Sequence, residues 1–303
     1  MEHGLILPST APAIATDSRR RSNYLSDSQR PVWWLPRVPF KNFISSVTCW
    51  IMISQVVIFF ASVAISNGFT PPASNSTFGP SRCALIQMGG KFSPFIVDKL
   101  EYWRIISANF VHSGLITLVL SLILEYLIIM PVEAEHGRLI TATVFILSGA
   151  TGYAFSAVAS PTSVSTGALG PVMGLVGFRL SYAVLDWPSI PEDDRRRVGI
   201  LEAGTAFIIL IVGQSPFVDN YCSFAAFVIG CFIGGAFFGD KIDSTVASQR
   251  IVIVMALMAT IFVLFIVGFL LGAGEFPLIH QAVYSLICKY DTNVAPFHPF
   301  DYM

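Results

Sequence analysis

Acyl transfer by a side-chain nucleophile needs a hydroxyl or thiol beside a base that takes its proton. In this chain of 303 residues the usual base, histidine, occurs only at His3, His112, His136, His280 and His298. No histidine lies between His136 and His280. Ser163 and Ser165 stand at the mouth of an apolar stretch that begins near 168, and the later stretch at 220–239 offers them no identifiable base. The cysteines, Cys49, Cys83, Cys222, Cys231 and Cys288, are too scattered for a zinc site, and neither metal nor cofactor is expected. Glu125 and Arg179 each lie about eleven residues inside an apolar stretch, roughly 17 Å deep at the helical rise. An unpaired charge there costs at least about 2.5–3.5 kcal/mol. The two are therefore expected to pair as a structural lock, or else to meet a polar group of another protein's helix.

The elements that would position these groups are membrane helices. The chain is 54% hydrophobic and 12% charged, with mean hydropathy +0.67, whereas soluble domains carry roughly 25% charged residues. A net charge of −1 gives no argument for nucleic acid as a partner. Seven stretches approach the ~20 residues that span a bilayer: 43–66, 114–131, 139–158, 168–186, 199–216, 220–239 and 251–273. Backbone groups in lipid must be satisfied within the segment, and no alternating barrel pattern is present, so the expected fold class is all-α and polytopic. Residues 1–16 lack a signal-peptide pattern, and no lipidation or retention signal stands out.

Charge sets the expected orientation. Arg19, Arg20, Arg21, Arg30, Arg37, Lys41, Arg138, Arg195, Arg196, Arg197, Lys241 and Arg250 fall on one side; Arg82, Lys91, Lys99, Arg104 and Lys289 fall on the other. The positive-inside rule puts the amino terminus in the cytosol and the carboxyl terminus in the lumen or outside, in the endomembrane system or plasma membrane. Residues 1–42, rich in Ser, Pro and Arg, read as a disordered cytosolic tail with an interfacial anchor at Trp33 and Trp34. Loop 67–113 is then external and holds a glycosylation sequon at Asn75. Cys83 in that loop and Cys288 in the tail at 274–303 are both external, where a disulfide between them would persist.

Several short motifs follow one another in register. Loop 1 carries Phe78-Gly79-Pro80-Ser81, then Tyr102-Trp103-Arg104 and Phe110-Val111-His112-Ser113-Gly114. Glu133 and Gly137 form a Glu-x-x-x-Gly turn, Gly167-Ala168-Leu169-Gly170 opens the fourth stretch, and Val218-Asp219-Asn220-Tyr221 opens the sixth. Gly167, Gly170, Gly174 and Gly177 share one helix face, as do Ala226, Gly230 and Gly234, and small faces let helices approach closely. This set resembles the rhomboid family of intramembrane serine proteases over roughly residues 43–273. The seventh stretch, at the carboxyl end, is similar to the eukaryotic secretase-type branch. The resemblance implies a rhomboid-like six-helix core at 43–239, with a linker and one carboxyl-terminal transmembrane helix at 240–273.

An active rhomboid pairs a serine at the top of its fourth helix with a histidine on its sixth, and polar groups on its second helix hold the oxyanion. Carried over residue by residue, the serine position is Leu169 and the histidine position is Ser223. On the second helix His112 is kept, while Thr117 and Ser121 stand where the family has His and Asn. A leucine cannot attack a carbonyl. The resemblance thus implies a pseudoprotease of the secretory pathway that binds transmembrane segments of client membrane proteins and influences their trafficking or turnover. The client groove would be lined by Leu169, Ser223, Phe224, Thr117 and Ser121. Trp103, Arg104, Glu133, Gly137, Gly170, Gly174, Gly230 and Gly234, together with Glu125 and Arg179, are read as structural. iRhoms and derlins are relatives of this inactive kind, but the chain lacks the very large first loop of iRhoms. The alternative is a rhomboid-type serine protease with a non-standard active site, for instance one built on His112 or His280. Oligomeric state is not set by the sequence.

Overall fold

The computed structural model describes residues 43–72, 75–185, 192–215 and 217–239. The expected tail at 1–42, the seventh stretch at 251–273, the carboxyl tail and Cys288 lie outside the described residues.

Nine helices occur among the described residues: α1 Val47–Ile65, α2 Arg82–Gln87, α3 Ser93–Val97, α4 Arg104–Ser107, α5 Leu115–His136, α6 Arg138–Ala159, α7 Leu169–Leu185, α8 Glu192–Val212 and α9 Asn220–Gly239. α1, α5, α6 and α9 are long and apolar enough to cross a membrane, and α7 and α8 contain shorter apolar helices. The short helices α2, α3 and α4 belong to a loop that caps one end of the bundle, where the Ser93 hydroxyl donates to the Ala157 oxygen at 2.7 Å and Lys91 bridges to Ser165. α8 starts seven residues before the expected stretch, taking in Arg195, Arg196 and Arg197. α5 runs on past Pro131 to His136.

Two glycine faces bring α7 and α9 together. A Cβ on Gly230 would fall 1.8 Å from the Gly174 carbonyl oxygen, one on Gly177 2.3 Å from the Phe227 oxygen, and one on Gly234 2.8 Å from the Phe178 oxygen. On the other side of α7, a Cβ on Gly174 would lie 2.1 Å from the Ser148 hydroxyl of α6. Any side chain at these positions would separate the helices, so small residues are required by contact rather than by backbone conformation. Gly167 is the exception to the expected helical face. It precedes α7 with φ +119°, a conformation that favours glycine.

Charged side chains set the joints. Glu133, near the end of α5, accepts from the backbone N–H groups of Val47 (2.8 Å) and Thr48 (2.9 Å) and from the Thr48 hydroxyl (2.6 Å). Its carboxylate thus satisfies the open donors and positive dipole end of α1. Gly137, at φ +84°, is the single residue between α5 and α6. In the loop, the buried Arg104 guanidinium pairs with Glu101 at 2.5 Å, donates to the carbonyls of Ile86 and Gly90, and stacks 4.9 Å from the Phe95 ring centre and 4.7 Å from that of Trp103.

Two expectations need correction. Glu125 and Arg179 do not pair. Glu125 of α5 faces α1 and accepts from the Gln55 amide at 2.5 Å, while Arg179 of α7 pairs with Glu202 of α8 at 2.9 Å. Equal depth was the basis for joining them, and depth leaves the helix face undetermined. The Asn75 sequon is closed to a glycan. Asn75 is 2% exposed, and its Nδ2 donates to the carbonyls of Pro80 and Ser113 while its Oδ1 accepts from the Thr77 N–H and hydroxyl. An amide held at both ends inside a loop is not an acceptor surface. Cys83 is disulfide-bonded, and Cys49, Cys222 and Cys231 are free.

The Arg179–Glu202 pair is buried on both sides, with side chains 6% and 7% exposed. Removing one partner of such a pair typically costs about 3–5 kcal/mol, whereas replacing both with apolar residues is near neutral. Glu202→Gln should therefore lower the unfolding temperature in detergent clearly, and Arg179→Met/Glu202→Leu should recover most of the loss. Equal losses in the single and double variants would show that the pair does not couple α7 to α8.

Candidate functional site

At the capped end, the turn ahead of α7 is held from several sides. The Gly167 N–H donates to the Ala108 oxygen (2.9 Å), the Tyr153 hydroxyl to the Gly167 oxygen (2.7 Å), and the Thr166 N–H to the Phe217 oxygen (2.9 Å). Lys91 and Ser165 exchange backbone hydrogen bonds of 2.9 and 3.1 Å. The turn therefore delivers Leu169 to a fixed place, the first residue of α7.

Leu169 is buried and belongs to the contiguous apolar core with Leu124 and Ile128 of α5, Phe145 of α6 and Val172 of α7. Ser223 is also buried, and its hydroxyl turns back onto its own helix, 3.4 Å from the Asp219 carbonyl oxygen. The α9 residue against the first turn of α7 is Cys222. A Cβ on Gly170 would meet the Cys222 sulfur at 2.5 Å, and one on Gly152 of α6 would meet it at 2.9 Å.

The second-helix positions have diverse environments. The Thr117 hydroxyl donates to the Gly114 oxygen at 2.8 Å and accepts from the Gly114 N–H at 3.1 Å, closing the amino-terminal turn of α5. Ser121 is buried with no hydrogen-bond partner for its hydroxyl among the described residues. His112 is fully buried; its Nδ1 lies 3.4 Å from the Phe110 oxygen, and its Nε2 has no partner among the described residues. Burial pushes this imidazole down to about 4, against the opposing pull of the Phe110 carbonyl. It is neutral at pH 7 and pairs with no serine hydroxyl among the described residues.

Of the five expected groove residues, Leu169, Ser223, Thr117 and Ser121 are buried within the bundle, while Phe224 is 59% exposed. Helical geometry explains the difference: at about 100° per residue, Cys222 facing α6 and α7 turns Phe224 roughly 200° away. Among the described residues no cluster of three or more His, Cys, Asp or Glu is placed to hold a metal ion.

The structure assembles one group that the motif reading passed over. Lys91 is fully buried, and its Nζ donates to the Ser160 oxygen (2.6 Å), the Ser163 oxygen (3.3 Å) and the Ser163 hydroxyl (3.0 Å). Ser165 lies 3.4 Å from the Ser163 hydroxyl and donates to Asp219 at 3.1 Å, and Ser156 donates to the same carboxylate oxygen. Burial brings the Lys91 ammonium down to about 8, with Asp219 and then Cys222 working in the other direction. A lysine amine, like an imidazole, can serve as the base. Lys91 is separated from Ser163 by 72 residues, and only the fold of loop 1 joins them.

Residues 99–240 match the family model described as Rhomboid domain. The chain is 26% identical over 218 residues to RHOMBOID-like protein 1 of Arabidopsis thaliana, a match covering 66% of this chain and 55% of that protein. It is 25% identical over 232 residues to RHOMBOID-like protein 6, mitochondrial, covering 72% and 73%. It is 30% identical over 163 residues to Inactive RHOMBOID-like protein 8, covering 53% and 45%; both are from the same plant. The chain thus spans about half the length of several curated relatives it matches. The helical bundle and the matched domain define a polytopic membrane protein. The chain is an integral, multi-pass membrane protein whose residues 99–240 match the Rhomboid domain and which is similar to the rhomboid-like proteins.

His112 supplies a pH test of this site. Its value falls from an ordinary 6.5 to about 4 on folding. The unfolded chain therefore binds the extra proton first, and stability present above pH 6.5 is lost as pH drops toward 4. At about 1.4 kcal/mol per unit the loss approaches ~3 kcal/mol. Detergent unfolding measured from pH 7 to 4 should show this slope in the native chain and a flatter one in His112→Gln. Parallel slopes would refute the buried, neutral His112.

Proposed function

We propose that this protein is a rhomboid-family pseudoprotease at the family's dyad position. It binds transmembrane segments of client membrane proteins and influences their trafficking or turnover in the secretory pathway. The observation that carries this reading is Leu169, an inert alkyl side chain that packs into the core where the family places its nucleophile. Ser223 at the histidine position supports it, since its hydroxyl engages its own helix. One of the relatives has "inactive" in its printed name. The domain plan that goes with this reading is the cytosolic tail, the six-helix core and a seventh, carboxyl-terminal span.

The client's docking surface is the lipid-facing apolar flank next to the first turn of α7, with Phe224 as its outermost contact. Polar groups of Ser121, Thr117 and Ser223 would add hydrogen bonds worth roughly 0.6–2 kcal/mol each if the bundle parts to admit the client. Photo-crosslinkers at Phe224 and Leu169 should capture client helices in the protein's own cell, and Leu169→Trp should reduce capture several-fold while the bundle still folds. Capture unchanged by Leu169→Trp but lost on deleting residues 1–42 would move client binding to the tail and overturn the groove.

A specific observation favours a second reading, a serine enzyme with a non-standard site: the contact between the Lys91 Nζ and the Ser163 hydroxyl at 3.0 Å.

A further inference from the structure

We propose that Ser163 and Lys91 form a serine–lysine acyl-transfer site at the capped end of the bundle, separate from the vacated dyad position and open to small esters from the aqueous side. Client binding by the transmembrane flank is a different property of the molecule and is not required for it.

The geometry is that of an activated nucleophile. The Ser163 hydroxyl is 3.0 Å from the Lys91 Nζ, within reach of direct proton transfer. Ser163 lies in the turn between α6 and α7 and is half-buried, so it is accessible, whereas Lys91 is fully buried behind it. Donor and acceptor capacities close for the neutral amine. A neutral Nζ has two N–H donors and one lone pair. The Ser160 and Ser163 carbonyl oxygens, at 2.6 and 3.3 Å, take the two donors. The lone pair is then left for the Ser163 O–H, which in the resting geometry donates to the Ser160 oxygen at 3.0 Å and must rotate onto Nζ, so that the third hydrogen bond reverses direction. The two carbonyls orient the base, which is the third part of a triad.

The charged groups facing Lys91 are few. Asp219 is the charged group whose field acts on it, and the buried Cys222 thiol is the other titratable neighbour. The Asp219 carboxylate is already engaged by the hydroxyls of Ser165 and Ser156 and by the Tyr221 N–H. Asp219 is thus held by neutral donors and makes no direct ion pair with Lys91 among the described residues. Desolvation prevails, and a lysine brought down to about 8 is a substantial fraction neutral at mildly alkaline pH. Perturbation of this kind, by burial at a site that also holds a nucleophile, is a mark of function as well as of structure. The N–H that follows a serine nucleophile commonly serves as an oxyanion donor. Here that is Val164, whose N–H has no acceptor among the described residues.

The chemistry balances without any further group except water. The Ser163 oxygen attacks the ester carbonyl as its proton passes to the neutral Lys91 Nζ. Collapse of the tetrahedral intermediate expels the alcohol, which takes the proton back from the ammonium and leaves an acyl-Ser163. Water then attacks the acyl carbon, giving its proton to Lys91, and the carboxylic acid leaves as the Ser163 oxygen takes that proton back, restoring the hydroxyl and the neutral amine. The reach of the site is set by its place in an extramembrane turn, which favours acyl esters over peptide bonds buried in a bilayer.

The test uses the full-length chain in detergent micelles with an alkyl fluorophosphonate probe, labelling from pH 6 to 10, and mass mapping of the modified residue. Labelling confined to Ser163, rising with an apparent pKa near 8 and levelling above it, is the expected result. It should vanish in Ser163→Ala and fall at least 100-fold in Lys91→Met. If Lys91→Met does not fold, the pH profile of the native chain decides: a plateau above pH 9 supports the lysine base, while a continued tenfold rise per pH unit indicates hydroxide and overturns it. No labelling of folded protein at pH 9, or labelling at Ser165 instead, also overturns it. Photo-crosslinking of clients on the same preparations reads the client-binding proposal separately, so failure of one is distinguishable from failure of the other.

Discussion

Backbone-to-backbone contact between α7 and α9 is the constraint on which the rest of the molecule depends. In lipid no hydrophobic force draws helices together, so van der Waals contact must do it, and that contact is short-ranged. Gly174 against Gly230, and Gly177 and Gly234 against the facing carbonyls, leave no room for a Cβ. Once the two helices are seated, the turn at 166–168 and the start of α9 meet at one end, where Thr166 bonds to Phe217 and Ser165 to Asp219. The family's catalysis would have required this approach. Here the approach is kept with Leu169 at the first turn of α7, because the same glycines hold up the fold.

The buried charges follow a common rule. Glu133 meets the amino-terminal donors of α1, Arg104 meets carbonyls of loop 1, and Lys91 meets the carbonyl of Ser160, the residue that ends α6. Each ion is matched to backbone groups that a helix end or a tight loop leaves open, which offsets its desolvation cost. Arg179 and Glu202 are matched to each other instead, and so connect α8 to the bundle. Lys91 differs from the others in one respect: one of its partners is a half-buried hydroxyl, and this is what makes it a candidate for chemistry as well as for stability.

The sequence disclosed those features that depend on period and punctuation. Apolar runs located the helices, the glycine spacing of α7 and α9 foretold their contact, and the spacing of Glu133 from Gly137 marked a tight joint. Features that depend on rotation about a helix axis or on long-range contact were hidden. Glu125 and Arg179 share a depth but face different neighbours, and Phe224 sits one residue from Ser223 yet points away from the bundle. Asn75 carries a sequon, but its amide is consumed by the loop's own folding. Lys91 could not be linked to Ser163 by inspection, since no local pattern joins residues so far apart in the chain. The candidate site was legible only for residues aligned with a known motif.

α9 presents Cys222 to the first turn of α7, which keeps the helix approach while Leu169 and Ser223 make no dyad. A Cβ placed on Gly170 would stand 3.9 Å from the Cys222 Cβ, within the usual span of a disulfide. The most direct measurement is oxidation of Gly170→Cys in membranes, followed by mass identification of the crosslink. The expected result is a disulfide to Cys222 that disappears in Gly170→Cys/Cys222→Ser. A crosslink that forms instead with Ser223→Cys in the Cys222→Ser background, or none with either, would contradict this register and the closed site built on it.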